Sequence, residues 1–154
     1  MIRKDPADFT PQDIAVMAER HREYGGRPLV TKNDLPTLED YFDHDGAQWL
    51  EGKVSQSRYE ELEEGAEPTA AELRKYAEVW LASVAAGDYD SDIIPTCGVS
   101  SYENANGEVR YAVICSTGYS FSEVRHRLKK ADFTSLEAAK QYVHELTDFS
   151  HLLA

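Results

Sequence analysis

The chain has 154 residues, 28 acidic against 16 basic side chains, and a formal net charge of −12. With 42% apolar and 10% aromatic residues it has the composition of a folded domain rather than a disordered tail. The acidity speaks against nonspecific nucleic-acid binding or adhesion to an anionic membrane by the chain as a whole, and no apolar run approaches the roughly 18 residues of a membrane span.

The charge is uneven. Residues 1–30 are neutral, residues 31–108 hold five basic against eighteen acidic side chains for a net −13, and residues 109–154 come to +1. Two cysteines, Cys97 and Cys115, are too few for a disulfide scaffold. The opening Met1-Ile-Arg-Lys-Asp-Pro6 carries no apolar signal segment. A reducing cytoplasmic setting is expected, with both cysteines as buried thiols.

In chain order, Thr10, Pro11 and Asp13 read as a helix start with an N-cap, a first-turn proline and an acid at N3. Ile14, Met17, His21 and Tyr24 recur at helical spacing up to Gly25-Gly26. Thr37 to Asp40 is a second start of the same kind, with Leu38, Tyr41, Phe42, Trp49 and Leu50 as an apolar face that Gly46 weakens. A short helix is expected over 57–64. Thr69 and Glu72 form a capping box for a long helix that Gly87 closes, with Leu73, Tyr76, Ala77, Trp80, Leu81 and Val84 as its stripe.

Beyond residue 92 the pattern turns to strands. Residues 93–104 and 108–117 flank Ala105-Asn106-Gly107, a three-residue hairpin loop with Gly107 in the left-handed position. This pairs Cys97 with Cys115, Val99 with Val113 and Ser101 with Tyr111 on one apolar face, and puts Tyr102 opposite Arg110 on the other. Residues 121–131 read either as a strand, with Val124, His126 and Leu128 inward, or as a helix capped by Ser120 and Glu123. The strand is preferred because a lone hairpin is marginally stable. Thr134 with Glu137, and Phe133 with Ala138, start a final helix. The expected class is α+β: a helical region over 1–87 and a small antiparallel sheet packed with a C-terminal helix (βββα) over 88–154, forming one compact domain.

Catalytic and metal signatures are thin. Asp88-x-Asp90-x-Asp92 has the first spacings of a calcium loop, but Ile93 takes the glycine position and Val99 the bidentate glutamate position. Asp43-His44-Asp45-Gly46 lacks a second ligand cluster. No nucleophile elbow, P-loop or dinucleotide fingerprint is present. No catalytic residue, metal site or cofactor is expected, and the chain reads as non-enzymatic.

The expected function is binding through carboxylates. Asp40, Asp43, Asp45, Glu60, Glu61, Glu63, Glu64 and Glu67 form a surface for a partner protein with a basic face. In its most specific form this is a nucleic-acid mimic that inhibits a defence enzyme on behalf of a phage or mobile element. The alternative is a nucleic-acid module in which Tyr102, Arg110, Arg125, Arg127 and Lys129 share one sheet face. A second alternative is an enzyme using Asp, Glu and His side chains brought together from distant positions.

Overall fold

The computed structural model describes residues 3–21, 24–91, 93–117 and 126–153. The class is α+β: among the described residues there are six α-helices and a four-stranded antiparallel sheet, with the C-terminal helix packed on the sheet. The chain forms two compact units. One joins Met1–Val30 to Tyr89–Asp148, and the other joins Thr31–Asp88 to Phe149–Ala154. The N-terminal 30 residues thus belong with the sheet and not with the helices that follow them.

In the sheet unit, α1 (Pro11–Ala18) opens with the expected capping box. The Asp13 amide donates to Thr10 Oγ1 at 3.1 Å and the Thr10 amide to Asp13 Oδ2 at 2.9 Å. The helix ends at Ala18, well before Gly25-Gly26. His21 ends it: buried, its Nδ1 bonds the Ala18 carbonyl, while Nε2 lies 3.4 Å from Ser116 Oγ. The Ala18 carbonyl at the helix end thus accepts both the His21 amide, at 3.4 Å, and the imidazole.

The hairpin of β2 (Thr96–Glu103) and β3 (Val109–Ser116) has the register read from its loop, with Cys97 opposite Cys115, Val99 opposite Val113 and Tyr102 opposite Arg110. Gly107 sits at φ 80°, and the Asn104 amide donates to the Glu108 carbonyl at 2.9 Å. A two-residue strand, β1 (Arg27–Pro28), pairs with the start of β2, and Arg3 bridges to its far end at Glu103. Both ends of β2's outer edge are therefore covered.

The other edge is β4 (His126–Phe133), which bears out the strand reading for residues 126–131; residues 121–125 lie outside the described residues. Its register against β3 slips twice. Ile114 faces Leu128 while Val113 faces Lys130, and Tyr111 faces Phe133. Lys129 is the extra residue at the first slip. The second slip holds Asp132 at φ 70°, a left-handed value that short acidic side chains tolerate.

Both faces of the sheet are covered. α1 brings Met17 and Ala18 onto Tyr102, Ala112 and Ile114, joined by Phe9, Ile14, Leu128 and Ala131. α6 (Leu136–Leu146) brings Ala139 and Val143 onto Val99 and Val113, joined by Tyr111 and Phe133. The N-cap of α6 is Ser135, which accepts the Ala138 amide at 3.0 Å, and not Thr134. β4 stays paired through Phe133, so the chain turns one residue later than the capping-box pattern implies.

The cysteines also depart from the buried thiols expected of a reducing setting. Cys97 and Cys115 are joined as a disulfide, with Cα atoms 4.0 Å apart and a sequence separation of 18. They occupy a non-hydrogen-bonded pair of the ladder, the closer of the two pair types. Directly opposed cysteines at that position are brought within bonding reach by register alone.

In the helical unit, the expected second helix is two: α2 (Leu38–Asp43) and α3 (Gly46–Trp49), separated by Asp45 at φ 51°. A side chain at Gly46 would collide with the Tyr41 ring, so only glycine lets α3 start there. α4 (Gln56–Glu63) and α5 (Ala70–Ala85) complete the unit. Its core holds Tyr41, Leu50, Leu62 and Tyr76, with Tyr76 edge-on to both Tyr41 and Trp49. No helix among the described residues is long and apolar enough to cross a membrane.

Candidate functional site

The helical unit carries fourteen acidic and five basic residues, a net −9. Its carboxylates divide by what they do locally. Asp40 is half-buried and caps α2, accepting the Thr37 amide at 2.8 Å and the Thr37 hydroxyl at 3.1 Å. Glu61 turns to Arg58, whose Nη1 donates to its Oε2 at 2.9 Å. Glu60, Glu63 and Glu64 stand at the i, i+3, i+4 spacing that puts side chains on one side of a helix. Asp43, Asp45 and Glu67 are exposed.

Asp45 and Glu63 are brought together, from the α2–α3 break and the last turn of α4, along one cleft of about 320 Å³. Its apolar wall comes from Tyr41, Phe42, Ala47 and Leu62. Phe42 is 50% exposed although the expected apolar face put it inward. Its ring lies edge-on to that of buried Tyr41 at 5.2 Å and lines the cleft. Tyr41 is buried, and its hydroxyl has no hydrogen-bond partner. Burial, more than the nearby Glu72 charge, raises that phenol above its ordinary value. The neighbouring Glu63 carboxylate, with burial, pushes the Tyr59 phenol up to about 12. Asp43, Glu60, Glu61, Glu64 and Glu67 do not line the cleft.

Arg58 ties this surface to α5. Its Nε donates to Glu72 Oε2 at 2.8 Å, its Nη2 to Glu72 Oε1 at 2.7 Å and to the Glu67 carbonyl at 3.1 Å. Glu72 also accepts the Thr69 amide at 2.9 Å. The Arg58 bonds, then the Thr69 amide, hold the Glu72 carboxyl down at about 2 against burial. A carboxylate whose folded value lies below its unfolded value of about 4.3 adds stability above that value and loses it as pH falls towards the folded one. Arg58→Gln is therefore expected to raise the midpoint of acid unfolding, as read by circular dichroism between neutral pH and pH about 2. An unchanged midpoint would contradict this role.

The described residues of the alternative basic face do not share one side of the sheet. Tyr102 is fully buried, its ring edge-on to Phe9 at 5.1 Å under α1. Arg110 is half-buried, 3.1 Å from Glu108 and 3.7 Å from Asp132. Arg127 is opposite Cys115, on the α6 side of the sheet, whereas Arg110 is opposite Tyr102 on the α1 side. Lys129 is the bulge residue, and Arg125 lies outside the described residues. Lys130, which sequence reasoning left out, places its ammonium 5.4 Å from the ring centres of both Phe133 and Tyr142. Charged residues and bulges on an outer strand prevent a second sheet from pairing there. The signal for two-sided burial was the unbroken apolar run Ala112-Val113-Ile114-Cys115.

Among the described residues no group of three or more His, Cys, Asp and Glu side chains is placed to hold a metal ion. Compared with protein-family models, curated proteins and solved structures, the chain has no significant match in any of the three. The class of protein is thus given by architecture alone: an α+β protein with an antiparallel sheet covered on both faces, and a separate acidic four-helix unit.

Proposed function

We propose that this is a non-enzymatic binding protein whose acidic helical unit docks a basic segment of a partner protein. The observation that carries the reading is the convergence of Asp45 and Glu63 on a cleft walled by Tyr41, Phe42 and Leu62. An arginine or lysine side chain has the matching construction. Its aliphatic stem lies along apolar and aromatic surface while its cationic head meets carboxylates. Glu60 and Glu64, outside the cleft, add attraction at longer range, which quickens encounter more than it strengthens the complex. In the most specific form of the proposal the partner binds nucleic acid, and the carboxylates take the place of phosphates in its groove. We place this docking in the cytoplasm, where burial of both sulfurs keeps the Cys97–Cys115 bond from thiol exchange.

The test uses a fluorescein-labelled arginine–serine repeat peptide and fluorescence anisotropy. Asp45→Asn with Glu63→Gln removes both cleft charges while keeping at position 45 a residue that tolerates φ 51°. Affinity is expected to fall roughly tenfold or more, the loss of a charge-assisted hydrogen bond. The charge-matched control Glu39→Gln with Glu78→Gln, on α2 and α5, should change it far less. Reversing Glu60, Glu63 and Glu64 to Lys should weaken binding with a strong salt dependence. Equal losses in cleft and control variants, or no binding by the native protein, would overturn the reading.

A further inference from the structure

We infer that the cleft formed by the Gly25-Gly26 turn, β1 and the C-terminal half of α6 binds a small phosphate-bearing ligand of the mononucleotide class. Acids outnumber bases 28 to 16 in the chain, yet among the described residues this cleft of about 510 Å³ is lined by Arg27, Lys140 and His144 and by no Asp or Glu. Its volume lies within the range of small-molecule sites.

These side chains are held by different means. Arg27 Nε donates to Thr147 Oγ1 at 2.9 Å, and Thr147, 1% exposed, donates onward to the Val143 carbonyl at 2.7 Å. That bond fixes the guanidinium with one of its five N–H donors, and the planar fork suits the paired oxygens of a phosphate. Lys140 and His144 are four residues apart on α6, hence on one face. Lys140 has an ion pair with Glu137 at 3.9 Å, but the Glu137 side chain is 87% exposed, so the pair restrains Lys140 only weakly. One basic side chain near the end of a helix complements its dipole; here Arg27 from β1 joins Lys140 and the His144 imidazole on one cleft.

The rest of the lining suits the remainder of such a ligand. Tyr24 is half-buried and edge-on to Tyr111 at 6.3 Å, which orients its ring. Val143 supplies a buried apolar floor. Gly25 (φ 82°) has open space where a side chain would stand, so the backbone of the turn is accessible to an anion. Basic side chains and an aromatic and aliphatic wall lining the same cleft together match a nucleoside monophosphate better than a bare anion.

The experiment is an NMR titration of the isotope-labelled full chain with AMP and, separately, inorganic phosphate, at an ionic strength fixed with sodium chloride. Saturable shifts are expected around Tyr24 to Arg27 and Lys140 to His144, with AMP binding more tightly than phosphate. Lys140→Gln should keep the native melting temperature and weaken AMP roughly tenfold. Arg27→Lys, which keeps the charge and loses the fork, should also weaken it. The inference is overturned if millimolar AMP gives no saturable shifts in this region or if Lys140→Gln binds AMP as the native protein does. Tighter binding of a 5′-phosphorylated single-stranded oligonucleotide than of AMP would also overturn it. None of these outcomes bears on the acidic cleft, which belongs to the other unit.

Discussion

Gly98→Ala is expected to destabilise the fold by about 3 kcal/mol, at the upper end of overpacking costs. Gly98 is in β2 opposite Ile114, and a β-carbon there would overlap the carbonyl oxygen of His21. Neither side can yield cheaply. The obstruction is backbone, and His21 is buried with its ring nitrogens engaged by the Ala18 carbonyl and Ser116 Oγ. Gly87→Ala is the contrasting control. That glycine has φ 97° but open space around the added carbon, so its cost is conformational and nearer 1 kcal/mol. Urea unfolding followed by circular dichroism measures both. Equal costs would show that the chain passes Gly98 less closely than described.

Loss of the Cys97–Cys115 bond is expected to cost a similar amount. A cross-link closing a loop of about this length removes enough freedom from the unfolded chain to stabilise by about 3 kcal/mol. Replacing both cysteines with serine should lower the urea midpoint with little change in native spectra, because the ladder pairs on both sides of the bond remain. Both sulfurs are nearly inaccessible, so a thiol reductant should act slowly on the native protein and faster as urea opens the sheet. Alkylation and mass spectrometry follow the reaction. Fast reduction in the absence of urea would contradict the burial, and an unchanged midpoint in the serine variant would contradict the stabilising role.

What the sequence makes legible is local. Thr10 with Asp13, Thr37 with Asp40 and Thr69 with Glu72 form capping boxes because both partners lie within one turn. The hairpin register follows from Asn104 to Glu108 for the same reason, and it carries Cys97 to Cys115 and Val99 to Val113 without further assumptions. What escapes depends on distant chain. β1 is two residues paired with a partner some 70 positions later, too short to show a pattern. Tyr102 reads as an outward residue beside Arg110 until α1 is laid over it. His21 continues a helical spacing that ends three residues earlier, once its side chain takes the Ala18 carbonyl.

The acidic site shows the same division. The composition makes residues 31–88 acidic whatever the fold, but it does not rank the carboxylates. Asp40 and Glu61 are consumed by a cap and an ion pair. Asp45 and Glu63, 18 positions apart, become neighbours on a cleft because the chain breaks at Asp45 instead of continuing one helix through Gly46. The Asp45-Gly46 dipeptide carried a turn signal within an otherwise helical pattern.

The most direct test of carboxylate docking is to map where the arginine–serine peptide lands on the isotope-labelled native protein by NMR. The proposal predicts saturable shifts concentrated at Phe42 to Gly46 and Leu62 to Gly65, suppressed by Asp45→Asn with Glu63→Gln. Shifts spread evenly over the acidic residues of the helical unit, or centred away from that cleft, would contradict it.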